Sequence, residues 1–183
     1  MARKRLSGHL VVIDMQRVFA DPGGEWATPR FGEILPRVAD LVAATKHVTF
    51  TRFVAPTTPK GSWVRYYERF PFALRPADDR MWDVVDGIGA TPDRTIAATT
   101  FGKWSHRLAA RVGDATLVLA GVSTECCVVA TAVAAADSGA RVQVVTDACA
   151  GASDASHASA LQVLEWFAPQ VELVTTDEVL DRA

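Results

Sequence analysis

Cys127 is the residue of this chain best placed to act as a nucleophile. It sits within residues 117–139, LVLAGVSTECCVVATAVAAADSG, where an apolar run ends in the tight turn Gly121-Val122-Ser123-Thr124. Beyond the turn Val128, Val129, Ala132, Val133 and Ala136 recur at helical spacing, and Gly139 supplies the stop. A helix starting near Thr124 puts Cys127 in its first turn at the top of a strand, where unpaired backbone N–H groups stabilise a thiolate. The same turn offers the N–H groups of Ser123 and Cys127 as an oxyanion hole, a device worth ~3 kcal/mol per donor in acyl transfer. The bland alternative for a lone cysteine is a small buried hydrophobe. Cys126 should point elsewhere on a helix and is assigned to the core. Cys149, in Thr146-Asp147-Ala148-Cys149, is assigned to packing.

A nucleophilic thiol needs a group to take its proton. Asp14 follows the continuous apolar run HLVVI at residues 9–13, so a carboxylate stands at the C-terminal end of a buried strand. On its own it would be an ordinary capping carboxylate. Beside Cys127 it could accept the thiol proton and later activate a water. A carboxylate also raises a neighbouring thiol's pKa, so a nearby cation is wanted to keep the thiolate accessible. Lys103, in Phe101-Gly102-Lys103-Trp104-Ser105, is the candidate. Its alternative is a lysine on a solvated face.

The elements that would position these groups alternate in type. Strands are expected at residues 9–13, 47–51, 95–99, 115–120, 141–145 and 171–174. Helices are expected around Ile34–Val38–Leu41–Val42, after the Ser105 cap as far as Gly113, over the stretch after Thr124, at 153–167 and at 176–180. Pro36 is tolerable near a first helical turn. Residues 17–30, with Asp21-Pro22-Gly23-Gly24, read as loop. This pattern predicts a three-layer α/β/α fold around a mostly parallel, six-stranded, doubly wound, Rossmann-like sheet of order 3-2-1-4-5-6. In that order the first and fourth strands are neighbours, and Asp14 and Cys127 face each other with backbones ~5 Å apart. The aromatic-rich connection 56–76 reads as packing at a loop or subunit contact, or as pocket wall. Phe19, Trp63, Tyr66 and Trp104 are the candidate substrate-binding wall, suited to a flat or apolar substrate part.

Composition bounds the function. At 183 residues the chain is expected to be a single domain, 1–183. A net charge of −2 with no Lys/Arg stripe argues against a nucleic-acid partner. No segment reaches membrane-spanning length and no secretory h-region stands at the N-terminus. Three cysteines, two of them adjacent, suit neither a disulfide framework nor a zinc site, so reduced thiols, no metal and a cytoplasmic location are expected. The expected partner is a small-molecule substrate, with no cofactor, and the aromatic-rich segment suggests a homo-oligomer.

Four stretches carry a family resemblance: Val12-Ile13-Asp14-Met15-Gln16, AGVSTECCV at 120–128, residues 146–151 with His157, and Thr175-Thr176-Asp177-Glu178-Val179-Leu180. They resemble the isochorismatase-like cysteine hydrolases, the group that includes nicotinamidase and N-carbamoylsarcosine amidohydrolase. The resemblance implies Asp14 as proton-handling carboxylate, Cys127 as nucleophile, and a non-proline cis peptide at Val122–Ser123 shaping the oxyanion hole. Two departures stand out. Nicotinamidases carry an Asp-x-His metal pattern where this chain has Phe53-Val54-Ala55, which disfavours a catalytic metal and nicotinamide as substrate. The family's lysine closes the third strand, a position that falls at or near Ala98. Lys103 lies five residues on, up to ~17 Å of extended chain, and reaches Cys127 only if the loop doubles back. The implied activity is hydrolysis of a small-molecule amide, or related C–N bond, through a cysteinyl thioester. Two alternatives remain: vinyl-ether hydrolysis by Asp14 without a covalent cysteine, and a catalytically weakened ligand-binding relative.

Overall fold

The structure is a computed structural model that describes residues 5–181. Its centre is set by β1 (His9–Ile13) and β4 (Leu117–Val122), every residue of which is buried. Runs such as LVVI and LVLA carry apolar side chains at consecutive positions. They therefore fit only a strand covered on both faces, which in turn requires helices above and below a parallel sheet. The remaining strands are β2 (Val48–Phe53), β3 (Thr95–Ala98), β5 (Val142–Ala150) and β6 (Val171–Val174). All pair in parallel in the order β3-β2-β1-β4-β5-β6, the doubly wound arrangement expected.

Alternate side chains of each strand feed two cores. On one face Leu10, Val12, Phe50, Val118 and Ala120 pack with Phe31, Ile34, Val38 and Leu41 of α2 (Phe31–Ala43). On the other, Val11, Ile13, Leu117 and Leu119 meet Leu108 and Val112 of α4 (His106–Val112) and the alanine-rich side of α5 (Val129–Asp137). Leu164 of α6 (Asp154–Glu165) joins that second core. The chain closes with α7 (Thr176–Asp181). Among the described residues no helix is long and apolar enough to cross a membrane.

Several boundaries differ from expectation for local reasons. Residues 17–30 contain a single helical turn, α1 (Arg17–Ala20), and the aromatic connection contains α3 (Ser62–Arg69). Pro36 falls in the second turn of α2, not the first, and forgoes the bond to the Gly32 carbonyl. β2 runs to Phe53 because Gln16 Oε1 accepts the Phe53 N–H at 2.8 Å and the Val54 N–H reaches the Ala98 carbonyl at 3.0 Å. β5 breaks register after Leu119↔Val144 and resumes at Gly121↔Cys149. The extruded Asp147 carboxylate accepts from the Thr176 N–H and hydroxyl at 2.7 and 2.9 Å and pairs with Arg37. The helix expected from Thr124 opens instead as a wide π-helical turn, Thr124–Val128, before α5 begins.

The top of the sheet is where these strands deliver functional groups. Gly121 has φ +121°, and a Cβ there would lie 2.1 Å from the Ile13 carbonyl oxygen. Only glycine lets β4 pass so close to the end of β1. Gly121→Ala is therefore expected to destabilise the fold by more than ~3 kcal/mol in urea unfolding, the upper range for one substitution. Gly32→Ala on α2, where a Cβ meets nothing within 4 Å, is expected to be neutral or to gain about 0.5–1 kcal/mol. Equal effects of the two would contradict the close approach of β1 and β4.

Candidate active site

Asp14 is the first residue beyond β1, and it turns the chain sharply, with φ +46° in the left-handed region that Asp tolerates better than most residues. Its own N–H donates to Thr51 Oγ1 at 3.1 Å, and that hydroxyl donates back to Asp14 Oδ1 at 2.6 Å. The Lys103 ammonium lies 2.9 Å from Oδ2, and both side chains are fully shielded from solvent. No further donor among the described residues is aligned on Oδ2, so it keeps acceptor capacity for a proton.

Lys103 reaches Asp14 because the loop after β3 does double back. The Lys103 N–H donates to Thr131 Oγ1 at 2.9 Å, and that hydroxyl donates to the Cys127 carbonyl at 2.6 Å. One threonine on α5 thus ties the backbone of the cation to the backbone of the thiol. The ammonium also donates to the Thr100 carbonyl at 2.7 Å and lies 5.0 Å from the Phe53 ring centroid, a cation–π contact. Phe53 is held in turn by Gln16, whose amide donates to the Phe53 and Trp82 carbonyls at 2.9 and 2.7 Å.

Cys127 sits on the π-helical turn, a feature frequent at functional sites. The Val122–Ser123 peptide just before the turn is cis. Burial, then the negative charge of Asp14, pushes the Cys127 thiol well above the ordinary cysteine range, while Lys103 pulls it down. The close approach of the thiol to the Asp14 carboxylate adds to the rise. At neutral pH the thiol therefore keeps its proton, poised beside a carboxylate able to take it. The turn is latched at two further points. Thr124 Oγ1 lies 2.8 Å from His157 Nδ1, and Glu125 Oε1 accepts the Ala152 N–H at 2.9 Å.

Above Cys127 opens a cavity of about 320 Å³, with Ser123 and Cys126 beside the thiol. Six rings wall it: Phe19, Trp26, Phe53, Tyr66, Phe70 and Phe101. Trp26 is their hub, with centroids of Phe19, Tyr66, Phe70 and Phe72 at 6.0, 5.9, 5.6 and 5.1 Å.

The structure thus brings together Asp14, Lys103, Ser123 and Cys127, and places Phe19 and Tyr66 on the wall. Two of the expected wall residues are elsewhere. Trp63 stands behind the wall against Tyr66 and Phe101, and Trp104 packs on the α4–α5 side of the sheet. The aromatic-rich segment packs Trp63, Tyr66, Phe70 and Phe72, all half-buried, against the core and the cavity wall. Cys126 is exposed and borders the cavity, not the core, because the wide turn swings it toward the opening. Cys149 is buried, its thiol pushed up to about 12 by desolvation. The sequence reading missed Trp26, which lies in a Gly/Pro-rich loop, and Thr131, which reads as one more residue of an apolar helix face. The pairing of Thr51 with Asp14 was legible only from register.

Among the described residues no group of three or more His, Cys, Asp or Glu side chains could hold a metal ion. At the Phe53-Val54-Ala55 position the chain presents buried apolar side chains, which do not fit a metal.

Comparison with known proteins agrees with this architecture. No curated protein matches the sequence. The isochorismatase family protein of Desulfovibrio vulgaris superposes with a TM-score of 0.82 at 22% identity, over 97% of this chain and 98% of that one. A nicotinamidase/pyrazinamidase of Acinetobacter baumanii gives 0.76 at 21%, over 97% and 100%. N-carbamoylsarcosine amidase of Thermoplasma acidophilum gives 0.70 at 20%, over 94% and 98%. The sequence model of the isochorismatase domain matches residues 9–178, and the chain belongs to the isochorismatase family of hydrolases.

Proposed function

We propose that the protein hydrolyses a small-molecule amide, or a related C–N bond, through a thioester on Cys127. The observation that carries this reading is the buried Lys103–Asp14 ion pair beside a buried thiol at the floor of an aromatic-walled cavity. Asp14 takes the Sγ proton as sulfur attacks the carbonyl carbon. The N–H groups of Ser123 and Cys127 hold the oxyanion as the C–S bond forms. Collapse breaks the C–N bond, and the proton on Asp14 passes to the departing amine. Asp14 then takes a proton from water as the water oxygen attacks the thioester carbon; collapse breaks the C–S bond, releases the carboxylic acid and passes the proton on Asp14 to Sγ. Lys103 lies against Asp14 and offsets part of the rise that the carboxylate imposes on the thiol.

The placement of Lys103 also bears on the weakened-relative alternative, which was motivated by Ala98. An ammonium 2.9 Å from Asp14 fills the need that the alanine leaves. The amidase names among the structural neighbours support a C–N bond over a vinyl ether.

Cys127→Ala is expected to abolish amide turnover with the fold intact by circular dichroism. Asp14→Asn and Lys103→Met are each expected to lower kcat/KM by about 10³-fold or more. Turnover surviving in Cys127→Ala but lost in Asp14→Asn would favour non-covalent chemistry at the carboxylate. The thiol makes a separate prediction, read by iodoacetamide in a Cys126→Ser background. Because the Cys127 pKa is raised, its alkylation is slow at neutral pH and still climbs beyond the ordinary cysteine value of about 8.5. A rate already at its plateau below pH 7 would mean a preformed thiolate and contradict Asp14 as the base.

A further inference from the structure

The charge on the cavity walls carries an inference about which amides reach Cys127, and it rests on the reading of that residue as nucleophile. The charged residues that line the cavity are both acids, Glu25 and Glu125, and neither Lys nor Arg joins them among the described residues. Lys103 lies beneath, fully buried, with its charge already matched by Asp14. Arg69 stacks over Phe70 at 5.3 Å from the centroid but is not part of the lining. Glu125 is only half satisfied. Its Oε1 holds the Ala152 N–H, while Oε2 is buried with no hydrogen-bond partner. Gly151 leaves room for that oxygen, since a Cβ there would lie 2.5 Å from it.

These walls treat the two signs of charge very differently. A carboxylate on the substrate would lose its water among ring faces, find no counter-ion and meet two like charges. An ammonium would find the negative faces of Trp26, Tyr66 and Phe70 and the field of both glutamates. A neutral ring would meet neither penalty. We propose that the protein acts on carboxamides whose acyl part is neutral or cationic, preferring an alkylammonium group seated among these rings beside Glu25 and Glu125. Carboxamides that carry a carboxylate are rejected.

Three benzamides of matched shape test this, with a 4-aminomethyl, 4-methyl or 4-carboxy group. The expected kcat/KM order is cation, then neutral, then anion, with cation over anion by about tenfold or more at low salt. Glu25→Lys should shrink that ratio by about tenfold. A second measurement needs no turnover. In the Cys126→Ser protein, Cys127 is modified by methyl, trimethylammonioethyl and sulfonatoethyl methanethiosulfonates, each rate divided by that for free cysteine. The same charge order is expected. Carboxybenzamide cleaved as fast as methylbenzamide, or a thiosulfonate series without charge preference, would overturn the proposal. A retained thiosulfonate order with no benzamide cleaved would instead overturn the amide reading and leave the charge selection standing.

Discussion

The Asp14–Lys103 ion pair is the constraint on which the rest of the site depends. Two charges with no solvent contact each carry a desolvation penalty of several kcal/mol, and their attraction offsets it only when every remaining valence is met. The surrounding residues meet most of them and leave Asp14 Oδ2 with spare acceptor capacity. Thr51 holds Oδ1, the Thr100 carbonyl takes an ammonium proton, and the Phe53 face lies against the cation. Gln16 fixes Phe53 from below, and Gly121 lets β4 close on the end of β1 so that Cys127 stands over the carboxylate. Removing either charge would strand the other, which commonly destabilises by about 3–5 kcal/mol.

The same pair explains how a buried thiol can be useful. Burial and Asp14 hold the Cys127 proton in place, and Lys103 moderates the effect without cancelling it. On the proposed route the site thus holds a buried thiol beside the carboxylate that takes its proton, rather than an exposed thiolate open to oxidation. Beneath the cavity the charges are compensated, its walls are aromatic, and its charged lining is acidic. In this proposal chemistry and selection are thereby separated, with the ion pair serving the reaction and the walls sorting the substrate.

Much of this was legible in the sequence where the signal was local and periodic. Apolar runs such as HLVVI admit only a doubly covered strand, and six strands alternating with helices favour the doubly wound order. That order alone sets Asp14 opposite Cys127. Lys103 was legible as the candidate cation but its reach was not, because that depends on a loop folding back through Thr131 and Thr100, contacts made across 28 and 3 residues of sequence. Cys126 was misplaced because α-helical directions do not hold in a π-helical turn. The cavity wall was half read. Tyr66 and Phe19 show themselves as aromatics near the right strands, but Trp26, the hub, comes from a loop whose composition signals only a turn.

The covalent route is tested most directly by partitioning its intermediate. Two amides that share an acyl group but differ in leaving amine are hydrolysed in the presence of hydroxylamine, and hydroxamate and acid are quantified. A thioester on Cys127 forgets which amine has left, so the hydroxamate-to-acid ratio must be the same for both amides at every hydroxylamine concentration. A ratio that changes with the leaving amine, or acid formed with no hydroxamate at all, would contradict an acyl group carried by Cys127.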